Sequence, residues 1–191
     1  MKKYKLTNQK MQTMKGFQWD LGIEQTTDGL ATTLCNNHWL HYYHSPLLAV
    51  LFNPIHADIK CPRLFEVQAL GNHLDDCGIK GGCTNLTLIE EIELPVISEI
   101  QTLAFAILCS IEVWKNEEYL LWANNWLNGT DRTKRSAGGC IGSTDTSYFA
   151  KEAVLSSWHT AKFVGYAGQA ATLVNNKINL IELAEKAIKY Q

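Results

Sequence analysis

Arg63-Leu64-Phe65-Glu66-Val67-Gln68-Ala69-Leu70 alternates apolar and polar side chains. Asn85 to Leu94 repeats the pattern, with Leu86, Leu88, Ile89, Ile92 and Leu94 apolar before Pro95. A period of two sends one set of side chains to a core and the other to water, which marks half-buried strands. Gly71 to Gly82, between them, reads as a polar, glycine-bearing loop. Gly16-Phe17-Gln18-Trp19-Asp20-Leu21-Gly22 alternates in the same way, and Tyr4-Lys5-Leu6 reads as a short opening strand. One helix interrupts the strands. Ser45 is its N-cap, Pro46 its first residue and Leu47 to Phe52 its apolar body, and Asn53-Pro54 is expected to end it. Residues 1–95 therefore predict a small, mainly antiparallel sheet with a helix packed on it.

Residues 96–191 have a helical texture. Ser98 followed by Gln101 is a capping-box signal, and Ile97, Ile100, Ala104, Ile107, Ile111 and Trp114 then recur at helical spacing. A second helix is expected from about Glu117 to Leu127. Residues 128–147 turn to Gly, Ser, Thr and Asp and read as a flexible loop. One long helix is expected from Ser147 to Val174, with small residues at Ala150, Ala153, Ser157, Ala161, Gly165 and Gly168. Such a stripe suits an intramolecular helix pair or a homodimer through the 147–174 helix. Asn179 with Glu182 caps a last helix through Ile188. The fold class is α+β, a sheet module (1–95) followed by a helical subdomain (96–191).

Composition narrows the function classes. The 191 residues are 46% hydrophobic and 19% charged, enough for a real core. The net charge of −2 is spread evenly: eight basic and ten acidic residues precede position 96, and nine of each follow. No basic stripe exists to neutralise phosphates, so nucleic acid is not an expected partner. The opening lysines (Lys2, Lys3, Lys5, Lys10, Lys15) read as a solvated edge. No apolar run reaches membrane-spanning length and no signal peptide is evident, so a cytoplasmic setting is expected, with the six cysteines as thiols.

Cys35, His38, His41 and His44 recur at a step of three, a concentration of soft-metal and proton-transfer chemistry. A zinc site would combine Cys35-x-x-His38 with His73-x-x-x-Cys77. Against it, strand alternation through Trp39, Leu40 and Tyr42 would send His41 to the face opposite His38 and His44, and the four would not converge. No cofactor is expected. Asp75 and Asp76, in the polar loop, join His41 and His56 as candidate ligand contacts. Trp122 and Trp126, with Arg132, Lys134 and Arg135 beside the glycine-rich stretch, are candidate contacts for a partner protein.

Gly16-Phe17-Gln18, Leu34-Cys35, Trp39-Leu40-His41, Pro46-Leu47, Asn53-Pro54-Ile55-His56-Ala57 and Phe65-Glu66 together resemble a family of small phage and prophage proteins, as do the residues from Ile178 to Ala187. The resemblance implies a virus-encoded accessory protein in the cytoplasm of a bacterial host. Such a protein would bind and inhibit a host protein, including a defence component, or sequester a small signalling ligand. Tyr42, Tyr43 and Glu91-x-Glu93 loosely resemble an ADP-ribosyltransferase layout, with His41, Tyr43 and Glu93 as its catalytic residues. Glu90, Glu91 and Glu93 as a solvated strand end is the simpler reading. A zinc-stabilised interaction module is the remaining alternative.

Overall fold

The computed structural model describes residues 2–34, 36–139, 145–155 and 160–191. The chain divides into two compact units, Met1–Val96 and Ile97–Gln191. As the residue patterns require, the fold is α+β: a five-stranded antiparallel sheet and one helix in the first unit, helices in the second.

A long hairpin organises the first unit. Strands β4 (Arg63–Asp76) and β5 (Lys80–Ile92) pair along their whole length, and the expected loop from Gly71 to Gly82 is absent. The chain reverses within Cys77 to Ile79 instead, with Cys77 at φ +49° and Gly78 at φ +75°. The Gly78 amide donates to Asp75 Oδ1 at 2.7 Å, and the Ile79 amide to the Asp76 carbonyl at 2.9 Å. The glycines that imitated a loop serve close packing. A Cβ on Gly81 would lie 2.4 Å from the Tyr42 ring, and one on Gly82 2.4 Å from Leu34 Cδ2.

The other strands close this hairpin on itself. β1 (Lys3–Thr7) pairs with the start of β4, and β3 (Leu40–Tyr43) with the start of β5. β1 and β3 then meet at Tyr4↔Tyr43, so the pairings run β5–β3–β1–β4 and back to β5. Short β2 (Glu24–Thr26) extends β5 beyond β3. Bulges between Glu66 and Val67 and between Leu70 and His73 supply the bending that closure needs. Trp19, Leu40, Tyr42, Phe65, Val67, Cys83, Leu86 and Leu88 form one buried cluster. Helix α1 (Pro46–His56) packs on β1 and β3 through Leu48, Ala49, Leu51 and Phe52.

Two local expectations are corrected. Gly16–Gly22 is not a strand: a 3-10 turn at Met14–Gly16 is followed by isolated bridges, with left-handed backbone at Lys15 (φ +58°), Gly16 and Gly22. The alternation there reports the burial of Trp19. Helix α1 continues past Asn53-Pro54 to His56. Pro54 in the last turn forfeits one amide. Asn53 closes the end, its carbonyl accepting from the Ala57 and Asp58 amides and its side chain pairing with Ile59.

In the second unit α2 (Glu99–Val113) is central, with Leu103 to Ser110 all buried and the Ser98–Gln101 capping box formed. It packs against α3 (Glu117–Leu127), α5 (Asp145–Leu155), α6 (Thr160–Val174) and α7 (Leu180–Ala187). Short α4 (Lys134–Gly139) lies inside the stretch expected to be a loop at 128–147; residues 140–144 of that stretch are outside the described residues. The single helix over 147–174 is likewise corrected to two. Phe149 stacks on Phe163 with centroids 6.3 Å apart, whereas fourteen residues of one straight helix would separate them by about 21 Å. The small residues Ala150, Ala153, Gly165 and Gly168 are buried where α5, α6 and α2 pack together. Those four residues are used in packing within the chain, Ala161 of the same stripe is exposed, and Ser157 lies outside the described residues.

The bulge at Gly71 gives a test of how closure is held. Gly71 has φ +77°, and an added Cβ would lie 2.0 Å from Thr84 Oγ1. Gly71→Ala should cost at least about 2 kcal/mol in urea unfolding of the full chain followed by circular dichroism. An unchanged midpoint would mean that the curl does not depend on this bulge.

Candidate functional site

β1 and β3 register through the pair Tyr4↔Tyr43, and beyond it the two strands part. Lys5 and Leu6 on one side, and His41 and Leu40 on the other, line a cavity of about 760 Å³. Trp19, Trp39, Tyr43, His56, Lys80 and the Thr13–Phe17 turn complete it. Its size lies within the range of small-molecule sites, roughly 300–1,000 Å³. Lys5 Nζ spans the parted strands and donates to the His41 carbonyl at 2.7 Å, where a ladder bond would otherwise run.

The lining is cationic. Lys5 is only 7% exposed, and its ammonium lies 4.4 Å from the centroid of the Trp19 ring. Burial lowers its pKa to about 8. Lys80 is buried beside the same space, and Lys15 stands at the rim. Among the described residues no Asp or Glu lines the cavity. A buried lysine normally has a carboxylate partner; Lys5 has a carbonyl and an indole face.

The histidines of the cavity are neutral. His41 Nε2 donates to the Leu34 carbonyl; burial is the main cause that brings its pKa down to about 4, and the Lys5 and Lys80 charges add to it. His56 stacks between Tyr43 and Phe52, with centroids 5.9 and 5.5 Å away, and its Nδ1 is 3.1 Å from the Tyr43 hydroxyl. Burial, then the nearby Lys80 and His41, lowers its pKa to about 3. Its Nε2 is buried with no hydrogen-bond partner among the described residues. Burial also pushes the Tyr43 phenol up.

Of the candidate ligand contacts, His41 and His56 meet at the cavity and Asp75 and Asp76 do not. Asp75 accepts from His44 Nε2 at 2.7 Å at the hairpin tip, and Lys3 donates to His44 Nδ1 at 2.6 Å. The catalytic trio is not assembled. His41 and Tyr43 line the cavity, but Glu93 does not: it is exposed beyond the end of β5. The metal set is dispersed too. His38 pairs with Asp28 at 2.6 Å, His73 faces the Tyr42 hydroxyl at 3.2 Å, Cys77 is exposed in the hairpin turn, and Cys35 is outside the described residues. No group of three metal-binding side chains gathers among the described residues.

Two of the partner contacts are corrected by burial. Trp122 and Trp126 are 6% and 2% exposed and belong to the helical core. Arg132 closes α3, donating to the Trp126 carbonyl at 2.9 Å while stacking over the Trp126 ring. Lys134 and Arg135 are exposed on α4. Sequence reasoning missed Lys5 and Lys80. The available signals were a lysine flanked by Tyr4 and Leu6 in the opening strand and the Gly81-Gly82 pair that follows Lys80.

The chain belongs to a family described as a domain of unknown function, DUF7666, which matches residues 1–99 and thus spans the whole cavity-bearing unit. No curated protein and no solved structure matches the chain. Among the described residues no helix is long and apolar enough to cross a membrane.

The half-buried histidines predict an acid limb. Their folded pKa values, about 4 and about 3, lie below the ordinary value of 6.5, so between those limits the unfolded chain binds more protons. Stability should therefore fall as pH drops from 6.5 toward 4. His56→Phe, which keeps the ring stack, should flatten this limb in urea midpoints measured from pH 7 to 4. A limb as steep as in the parent protein would show that His56 is protonated in the fold.

Proposed function

We propose that the cavity-bearing unit binds a small anionic molecule and that the protein acts by holding this ligand. Lys5 carries the reading. It is a buried cation in a cavity that no carboxylate lines among the described residues, so an incoming anion supplies a counter-charge. Lys80 adds positive potential in a low-dielectric space, where it acts more strongly than on an open surface, and Lys15 adds to it from the exposed rim. In the setting implied by the resemblance to phage proteins, the protein would withdraw a small signalling molecule from a bacterial host. The dispersal of His41, Tyr43 and Glu93 favours binding over the transferase reading. The burial of Trp122 and Trp126 removes the support for a tryptophan-anchored host-protein interface.

Isothermal titration with inorganic pyrophosphate and ribose 5-phosphate tests this. At least one should bind, and Lys5→Met should weaken it at least tenfold, provided circular dichroism shows an unchanged fold. The free amine titrates at about 8, so affinity should hold below that pH and fall as pH rises through it. In Lys5→Met that pH dependence should vanish. No binding by either anion, or undiminished binding by folded Lys5→Met, would refute the proposal.

A further inference from the structure

The cavity is lined by both cations and rings. Lys5 and Lys80 are its buried cations, and Phe17, Trp19 and Trp39 are its rings, with the Lys5 ammonium lying over Trp19. Phosphate alone would leave most of the roughly 760 Å³ empty and would have no use for the rings. We infer, building on the anion-binding reading above, that the ligand is of the nucleotide class: its phosphate meets Lys5 and Lys80, and its base stacks on Phe17.

Phe17 is the accessible ring of the three. It is 43% exposed, whereas Trp19 and Trp39 are buried, and its ring lies 5.1 Å from that of Trp19 at an interplanar angle of 55°. The backbone holds the ring in place at the rim. The Thr13 amide donates to the Phe17 carbonyl at 3.0 Å, and the Phe17 amide to the Met14 carbonyl at 3.3 Å. The turn between them places Lys15 in the left-handed region, at φ +58°, where a non-glycine residue is strained. A half-exposed ring beside a cationic pocket is a stacking platform for a planar heterocycle, which every nucleobase offers. Asn37 adds polar specificity. It lines the same cavity, and its side-chain amide makes no hydrogen bond among the described residues, leaving donors and an acceptor for a base edge. Trp39, by contrast, spends its indole N–H on the Ala31 carbonyl at 2.9 Å and serves as wall alone.

Adenosine 5′-monophosphate and ribose 5-phosphate share the phosphate and sugar and differ by the base, so titrating both into the full chain separates the two claims. The monophosphate should bind at least about tenfold tighter, in line with the loss on removing an aromatic platform. Phe17→Ala should erase most of that advantage while leaving ribose 5-phosphate unchanged, and Phe17→Tyr should keep it. Equal affinities for the two compounds would overturn the nucleotide inference and leave the anion site standing. An advantage that survives Phe17→Ala would overturn the placement of the base. Failure of both compounds, with pyrophosphate also silent, would overturn both readings.

Discussion

Closure of the sheet through Tyr4↔Tyr43 is the constraint on which the N-terminal unit depends. The hairpin of β4 and β5 curls until the free edge of one strand and the free edge of the other are bridged by β1 and β3. Closing a sheet satisfies edge amides that would otherwise invite aggregation. With so few strands it cannot be done evenly. The two bulges and the positive φ at Gly71 concentrate the bend in β4, and the mismatch emerges as the parted strands beyond Tyr4 and Tyr43. The cavity is the space left by that incomplete seam, and Lys5 is the side chain that bridges it.

A bridge of this kind is expensive. Moving the lysine pKa from 10.5 to about 8 corresponds to roughly 3 kcal/mol of differential solvation between its charged and neutral forms. That matches the cost of deleting a buried leucine side chain, about 2–5 kcal/mol. The Trp19 face and the His41 carbonyl recover part of it. A methionine would fill the same volume without the penalty, and buried charges are often replaced by apolar residues with no loss of stability. Keeping the ammonium there makes physical sense when a ligand completes its coordination. A protein with net charge −2 can therefore hold a strongly cationic pocket, because total charge averages over the surface while the cavity is set by a few buried side chains.

Much of the architecture was legible in residue order. The alternation from Arg63 to Leu70 and from Asn85 to Leu94, the Ser45-Pro46 helix start and the Ser98–Gln101 capping box each matched an element, because each is decided by neighbours in sequence. The failures share one cause. Gly81 and Gly82 look like loop residues until the rings of Tyr42 and Trp39 are seen lying on them. The run from Ser147 to Val174 looks like one helix until Phe149 is seen against Phe163. Lys5 looks like part of a solvated edge until the seam encloses it. In each case a residue's role is set by a partner distant in the chain, which local pattern does not encode. The site was legible in part for the same reason: His41 and His56 were singled out for their chemistry, while the lysines that give the cavity its charge were hidden among surface-like composition.

The protonation states in the cavity also bear on what kind of chemistry it can host. A general acid or base works best with a pKa near the operating pH. His41 and His56 are held at about 4 and about 3, and Tyr43 is pushed up by burial, so at neutral pH none of the three is poised to exchange a proton. His41 is further committed to the Leu34 carbonyl, and His56 is locked in a stack between two rings. Lys5, at about 8, is the group nearest neutrality, and it remains largely charged. An anion placed beside it would raise that pKa and fix the charge, which strengthens binding and suppresses proton transfer together. Neutral histidines around a charge that a ligand stabilises fit the binding role proposed above, in which the burial that moves these groups away from neutrality is also what makes an anion worth binding.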